Sequence, residues 1–448
     1  MRKRLSTLLL SAGLLLGSPA AAAANYVYIL TGQSNSLGAV KGSPATPEQL
    51  TRYASDARLW SGNMERDSGK PFDPAPAWNT VAPPLPSYHG SLCMGPEYGF
   101  GHMMQRRKWH SNTASVCIIK ASLDGGSNSF WLPAKPAWIT LTRTVKDALA
   151  ALDGRTHVQA LLYLQGESDK GEEITRAPAR FADLKARLQK ELKTSLKHAV
   201  VGECATWNGR DEKDAKGHTT AELMRAFAAK KKDIGWVHTR DLTKITSGDA
   251  MGVHYDGISQ ITIGARYAYA VALLEKLPLG SVRGDTPAAP LETPAAWWGG
   301  KLPTPAAVAT WDIASCRGDE TLGKTLSVGG LLVEDPAAGC VTITPAKPTA
   351  VLQVGAAGIT LQEGDLIING ELCVTADQRW ELAPNRRLKA STLTGKAIIT
   401  LQAHESATLE FDTPPPHLWH LPAAKPRILI SGKPAHFIPQ NEFYRIDY

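Results

Sequence analysis

Cysteine is scarce in this chain. Six residues, Cys93, Cys117, Cys204, Cys316, Cys340 and Cys373, are spread over 448 positions. Their spacing draws no disulfide framework and pairs with no histidine at zinc-ligand intervals, so neither a stapled mini-domain nor a metal site is expected. Cys117 falls inside the apolar run Val116 to Ile119, where a buried thiol is expected. A strong surplus of one charge is also lacking. The formal net charge of +7 falls to +4 once Arg2, Lys3 and Arg4 of the amino terminus are set aside. No basic stripe alternates with aromatics, which argues against a nucleic-acid partner. Long apolar runs are absent as well. The longest, Leu5 to Gly17, is too short to cross a bilayer, so no integral membrane segment is expected in the mature chain.

What is present describes an ordinary globular protein. Hydrophobic residues make up 43% and charged residues 20%, enough for a sizeable core. The length favours two or three domains. A basic head, the apolar stretch and the small residues Ala20 to Ala24 together read as a signal peptide over residues 1–24. The expected location is therefore secreted or periplasmic, with retention at the cell surface as a variant. No cysteine near the cleavage zone suggests a lipid anchor. The oligomeric state is not legible.

Residues 25–282 alternate short apolar runs with amphipathic stretches. The runs are Tyr26–Leu30, Ala57–Trp60, Ser115–Lys120, Val158–Leu164, Ala199–Gly202 and Gly235–His238. Leu141, Val145, Leu149 and Leu152 keep one helical face, as do Phe181, Leu184, Leu188 and Leu192. Leu223 to Phe227 and Ile263 to Leu274 mark two further helices. Continuous apolar strands between helices predict an α/β fold, a flavodoxin-like three-layer parallel sheet. Residues 283–309 hold Pro287, Pro290, Pro294, Pro303 and Pro305 and read as a proline-stiffened linker, with Trp297 and Trp298 available to dock on a neighbour. Over 310–448 the helical period disappears. Short β segments punctuated by Gly, Asp and Asn predict a smaller all-β domain, a solenoid or a sandwich, with the quick turns near Gly358 and Asn369 leaning to the solenoid.

Four segments carry chemistry. Tyr26 to Leu30 ends in Thr31-Gly32-Gln33-Ser34-Asn35, which places a hydroxyl at the carboxyl edge of a strand, where open α/β sheets bind ligands. Ser34 is thus a nucleophile candidate. Gly125 and Gly126 follow the strand ending at Lys120; an isolated pair is more often a tight turn, but its N–H groups can also face an oxyanion. Gln165-Gly166-Glu167-Ser168 ends another strand. Gln165 is read as a second oxyanion donor, while Glu167 and Asp169 can equally be helix-start acids. His254 precedes the last helix and is the candidate base for Ser34. Asp256 beside it reads more naturally as an N-cap.

Together these segments resemble the SGNH hydrolase superfamily and, within it, the sialate O-acetylesterase-like carbohydrate esterases, over about residues 25–276. The resemblance rests on Gly32-Gln33-Ser34-Asn35, on Gly125-Gly126-Ser127 with Trp131, on Gln165-Gly166-Glu167-Ser168, and on Val253-His254-Tyr255 followed by Gly264 and Arg266. Gly95 to Gly101 also resembles a family segment. What it implies is a serine esterase that removes O-acetyl groups from carbohydrates, O-acetylated sialic acid being the favoured substrate. An acetylxylan or other polysaccharide deacetylase is the alternative. A non-catalytic glycan-binding protein or adhesin is a third reading, against which the intact set Ser34, Gly126, Gln165 and His254 speaks. The implied oxyanion hole is Ser34 N–H, Gly126 N–H and the Gln165 amide. Gln33, Asn35, Trp131, Glu167 and Trp207 are candidate substrate contacts; for both tryptophans, core packing is an equal reading. No metal and no organic cofactor is expected. One position departs from the pattern. Where many members carry an aspartate three residues before the histidine, this chain has Met251. Asp249, Asp256, Glu167 or a backbone carbonyl remain as the group orienting His254, with Asp249 the first choice.

Overall fold

The computed structural model describes residues 24–38, 46–73, 75–82, 86–88, 91–92, 94–110, 114–205, 212–245, 252–421, 426–440 and 443–447. Residues 1–23 of the expected signal peptide and the candidates Trp207 and Asp249 lie outside these residues.

The first half begins with β1 (Ala24–Gly32), α1 (Ser34–Leu37), α2 (Pro47–Arg52), β2 (Ser55–Ser61) and β3 (Trp78–Val81). A small hairpin of β4 (Pro86–Tyr88) and β5 (Ser91–Leu92) leads to α3 (Pro96–Arg106) and β6 (Ser115–Lys120). Then come α4 (Pro136–Ala150), β7 (Arg155–Leu164), α5 (Glu172–Leu192), β8 (His198–Gly202), α6 (Thr220–Ala228), β9 (Ile234–Val237) and α7 (Gly257–Leu274). The sheet order is β3-β2-β6-β1-β7-β8-β9. Only the β2–β3 pairing is antiparallel. The five strands β6-β1-β7-β8-β9 follow the flavodoxin-like order 2-1-3-4-5, and β2 and β3 widen one edge. β1 sits in the middle, so its residues from Val27 onward are buried with no alternation, as a strand covered on both faces requires.

Two cores flank the sheet. On one face α4, α5 and α6 bury Leu141, Val145, Phe181, Leu184, Leu188 and Met224. On the other α3 and α7 bury Tyr98, Phe100, Ile261, Tyr267 and Tyr269. Here two glycines let the helix backbones touch. A Cβ on Gly264 would stand 1.8 Å from the Pro96 carbonyl oxygen, and one on Gly99 would stand 1.8 Å from that of Ile261. The middle of α7 is buried on all sides, Arg266 included, because a second domain covers what the sheet and α3 leave open.

That second domain is a coil of parallel strands. Val341 pairs with Leu366, Leu366 with Leu388, Leu388 with Leu409 and Leu409 with Ile428. On another face Ile359 pairs with Trp380, Trp380 with Leu401, and Ile399 with Trp419. Each turn therefore stacks on the one before it, the arrangement of a solenoid rather than of a sandwich. The inward ladder is apolar, and Trp380 and Trp419 meet edge to face with centroids 5.4 Å apart. A hairpin of 436–440 and 443–447 is antiparallel and finishes the coil.

The proline-rich segment expected as a linker is held at Arg283 to Asp285, at Leu291 and at Ala296 to Trp298, while most of residues 301–308 are exposed. Arg283 is buried and its Nε donates to Glu320 Oε1 at 2.7 Å. Trp297 lies in the solenoid core and donates its indole N–H to the Leu291 carbonyl at 2.8 Å. Trp298 stacks on Tyr269 of α7 with centroids 5.3 Å apart. Alanines and prolines leave little side chain to order, so two tryptophans suffice to pin the segment between both cores.

Charged groups join the domains where α3 ends. Arg107 Nη2 meets Asp312 Oδ2 at 2.7 Å and Glu334 Oε2 at 2.6 Å, and Arg106 Nη2 meets Glu334 Oε1 at 2.7 Å. Tyr269 adds its hydroxyl to Asp312 at 2.6 Å. Burial, then the neighbouring Asp312, pushes the Asp335 carboxyl up to about 7.

Gly264→Ala is expected to force α3 and α7 apart and to destabilise the protein by about 1–3 kcal/mol, the usual cost of overfilling a packed contact. Urea unfolding of the full chain measures it; a midpoint unchanged from the unmodified protein would contradict the close backbone contact.

Candidate active site

Ser34 opens the one-turn helix α1 directly after β1. The turn needs Gly32, whose φ is +142° and on which a Cβ would fall 1.9 Å from the Leu164 carbonyl oxygen. Gln33 adopts an extended conformation as the helix cap. Ser34 N–H thereby belongs to the first helical turn, has no acceptor among the described residues, and points out of the helix start. The hydroxyl meets His254 Nε2 at 2.9 Å. A serine and a histidine 220 positions apart are thus in direct hydrogen-bond contact, the geometry of nucleophile and base. With Nε2 unprotonated, the hydroxyl donates and the ring accepts.

The loop carrying His254 is held on both sides. Ile245 N–H donates to the His254 carbonyl at 3.0 Å and Asp256 N–H to the Thr243 carbonyl at 3.1 Å, a short antiparallel pairing around Lys244 and Tyr255. From the nucleophile side, Asn35 is fully buried and makes three bonds. Its Nδ2 donates to Glu167 Oε1 at 2.7 Å and to the Val253 carbonyl at 3.0 Å, and its Oδ1 accepts from Tyr255 N–H at 3.2 Å. One amide therefore ties the nucleophile turn, the 165–168 loop and the two neighbours of His254.

Gly125 and Gly126 both have positive φ, +78° and +92°. Gly126 N–H has no acceptor among the described residues, which leaves it, like Ser34 N–H, available as an oxyanion donor. Gln165 is not available. Its Nε2 donates to Gln33 Oε1 at 2.7 Å and to the Gly126 carbonyl at 2.9 Å, and its Oε1 accepts from the Trp131 indole at 3.1 Å. Both amide hydrogens are engaged, and the acceptor-only carbonyl and donor-only indole fix which end is which. The expectation of an oxyanion donor is corrected: Gln165 sets the height of the glycine turn.

Four of the expected substrate contacts, Gln33, Asn35, Trp131 and Glu167, are engaged within the protein in the same way. Gln33 Oε1 also accepts from Gly166 N–H at 3.2 Å and Ser168 N–H at 3.3 Å, so Gln33 locks two strand ends together. Asn35 is a brace, as above. Trp131 is 2% exposed and packs in the core beneath α4 and α5, which decides for core packing over sugar stacking. Glu167 Oε1 accepts from Asn35 and from Ala205 N–H at 3.1 Å, while its Oε2 is buried with no donor among the described residues. Desolvation holds its carboxyl above the ordinary carboxylate value, and the Asn35 bond opposes this. Glu167 makes no hydrogen bond to His254. Asp256 makes none either: it caps α7 through Ser259 N–H at 2.8 Å and accepts the Thr243 hydroxyl. Two of the possible orienting acids are therefore occupied elsewhere, and Asp249 falls outside the described residues. Asp169 accepts from Asn128 N–H at 2.8 Å, Asn128 Nδ2 at 2.7 Å and Thr220 Oγ1 at 3.2 Å, and desolvation pushes it up to about 6. It ties the glycine block to α6. Among the described residues no cluster of His, Cys, Asp and Glu could hold a metal ion.

One group at the rim was not legible. The Arg66 stem lies against Gly126, where a Cβ would meet Cγ at 3.2 Å, and its guanidinium stands 5.9 Å from the Phe130 ring centre. It is half exposed and pairs with Asp67 at 2.7 Å. No spacing in the sequence links position 66 to position 126; only the antiparallel and parallel bridges of Met64 to Pro71 and Leu123 bring them together.

The model of a family described as carbohydrate esterase, sialic acid-specific acetylesterase, matches residues 24–273. No curated protein matches the chain. Among solved structures, a protein from Arabidopsis thaliana is similar at 16% identity and a TM-score of 0.40, covering 55% of this chain and 97% of its own. NanS is similar at 14% and 0.43, covering 58% and 99%. A carbohydrate acetylesterase from Xanthomonas citri is similar at 14% and 0.41, covering 57% and 58%.

Asn35→Ala is expected to lower kcat by roughly 10- to 100-fold with KM little changed, because the loops carrying both reacting groups lose a common tie. Steady-state kinetics on a small acetyl ester test this; an unchanged kcat would show that the loops hold themselves.

Proposed function

Because the chain belongs to the sialic acid-specific carbohydrate acetylesterase family, we propose that it is an exported serine esterase that removes O-acetyl groups from sugars, with acetylated sialic acid as substrate. The observation that carries this is the 2.9 Å contact between Ser34 Oγ and His254 Nε2 at the carboxyl edge of the sheet. His254 takes the hydroxyl proton as Ser34 attacks the acetyl carbonyl. The N–H groups of Ser34 and Gly126 hold the negative charge of the tetrahedral intermediate, where they act more strongly than on the ground-state carbonyl. The sugar oxygen leaves with the proton from His254. Water then attacks the acetyl-enzyme, His254 taking its proton, and acetate departs as the acyl–oxygen bond breaks and Ser34 Oγ regains a proton from His254. Every proton and bond in both steps is accounted for by Ser34, His254, water and the ester.

The preference for an acidic sugar has support at the rim. Arg66 lies against Gly126, one of the two proposed oxyanion donors, and its present partner, Asp67, is an exposed neighbour whose ion pair is weak enough to exchange for a substrate carboxylate. A neutral polysaccharide such as acetylxylan would gain nothing from this cation. Export rests on the leader-like first 24 residues, and the division into an esterase domain over 25–282, a connecting segment and a β domain over 310–448 is offered with it.

Ser34→Ala is expected to abolish acetate release from every acetylated substrate while leaving the fold intact by circular dichroism. Persistence of hydrolysis would refute the nucleophile. Absence of hydrolysis by the unmodified protein across O-acetylated sialosides and xylans would favour a glycan binder instead. Arg66→Ala is expected to raise KM several-fold for acetylated sialosides and not for acetylxylan; equal effects on both would remove the argument for an acidic sugar.

A further inference from the structure

The family match ends at residue 273, yet the loop that carries His254 is gripped by a residue well beyond it. Where the solenoid begins, residues Asp312 to Arg317 run beneath α7. Arg266 in that helix donates its Nε to the Ala314 carbonyl at 3.0 Å and its Nη2 to the Ser315 carbonyl at 3.1 Å, and it holds Asp241 at 2.6 Å. Asp241 Oδ2 in turn accepts from Arg317 N–H at 2.7 Å. The Arg317 guanidinium then reaches on to the esterase domain, where Nη1 donates to Thr243 Oγ1 at 2.8 Å.

Thr243 is placed to pass this on. Its hydroxyl donates to Asp256, its carbonyl accepts Asp256 N–H at 3.1 Å, and its own N–H donates to Ser259 Oγ at 3.0 Å. Thr243 to Ile245 is the strand paired with His254 to Asp256. The guanidinium thus ends one side-chain bond away from the short ladder on which the base sits.

Stability alone does not account for a cation here. Among the described residues Arg317 Nε and Nη2 are buried without a hydrogen-bond partner, and burial holds the guanidinium below its ordinary value. Buried donors left unmatched cost free energy, so an apolar chain of similar length would serve a purely structural role better.

We infer that the solenoid completes the esterase site, with Arg317 as a positioning residue that fixes the loop of His254 through Thr243. The inference rests on Ser34 and His254 being the reacting pair, but the brace itself can be read without activity.

Arg317→Met in the full chain is the test, with Arg52→Ala as the control, since Arg52 joins the same two domains through Glu363 at 3.3 Å. Hydrogen exchange over 252–256 is expected to quicken in Arg317→Met while exchange elsewhere in both domains is unchanged. On 4-nitrophenyl acetate, kcat is expected to fall roughly tenfold with KM within about twofold, as a displaced base would give. The melting temperature is expected to hold or rise. Arg317→Met added to Thr243→Val is expected to change kcat by less than about twofold, because the route is already cut. Unchanged exchange at 252–256 overturns the brace. Quickened exchange with unchanged kcat overturns its part in catalysis. A loss of kcat that follows a general rise in exchange and a lower melting temperature makes Arg317 a stabilising residue only and overturns the inference. If the unmodified protein hydrolyses no ester, the esterase reading fails, and the exchange comparison still decides the brace.

Discussion

The buried amide of Asn35 is the interaction on which the site depends. A nucleophile on the first strand and a base before the last helix have no covalent reason to stay together. Asn35 supplies one, with each end of its amide matched to groups that have opposite needs. The Glu167 carboxylate and the Val253 carbonyl accept its two hydrogens, and Tyr255 N–H donates to its oxygen. Because the amide is buried, a rotation would leave donors facing donors, which makes a single arrangement far more stable than any other.

Around this amide the polar residues of the four sequence blocks form one connected frame. Gln33, Gln165 and Trp131 join the ends of β1, β7 and the glycine turn, and Asp169 joins the turn to α6. The residues that meet a substrate are then few, and they are mostly backbone. The two candidate oxyanion donors are N–H groups whose direction is set by the frame behind them. This division fits a reaction in which the donors must be fixed before charge appears.

Much of this was legible in the sequence, and what was missed has a common cause. The strands and helices over 25–282 follow from continuous apolar runs and helical stripes, and the order of strand ends places Ser34 and His254 at one rim. Side-chain roles within the blocks were misread. Gln165 looks like an oxyanion donor, and Gln33 and Trp131 like substrate contacts, because polar and aromatic groups at strand ends are usually exposed. Here loops bury them, and burial converts each into a cross-tie. The acids beside His254 were ambiguous for the same reason, since Asp256 as a cap and Glu167 as an acceptor for Asn35 can be told apart only by their partners. The segment over 283–309 looked like a spacer because proline and alanine carry no periodic signal. Its tryptophans, directly after Ala295 and Ala296, were the hint that it is held. Arg66 and Arg317 left no trace, because nothing local marks a residue whose partner lies in another element.

The central position of β1 bears on how the chain acquires its shape. The first strand made is the one that needs both neighbours, β6 and β7, and β7 ends at Leu164, so no part of the main sheet can close while only its opening segment has been synthesised. Parallel pairing over such separations gives a high contact order and slow assembly. The solenoid has the opposite character. Each of its turns leans on the turn just before it, so it can grow by short steps from a single nucleus. The two halves of this polypeptide therefore run on different clocks, and the arginines of α3 meet their acids only when the slower one has finished.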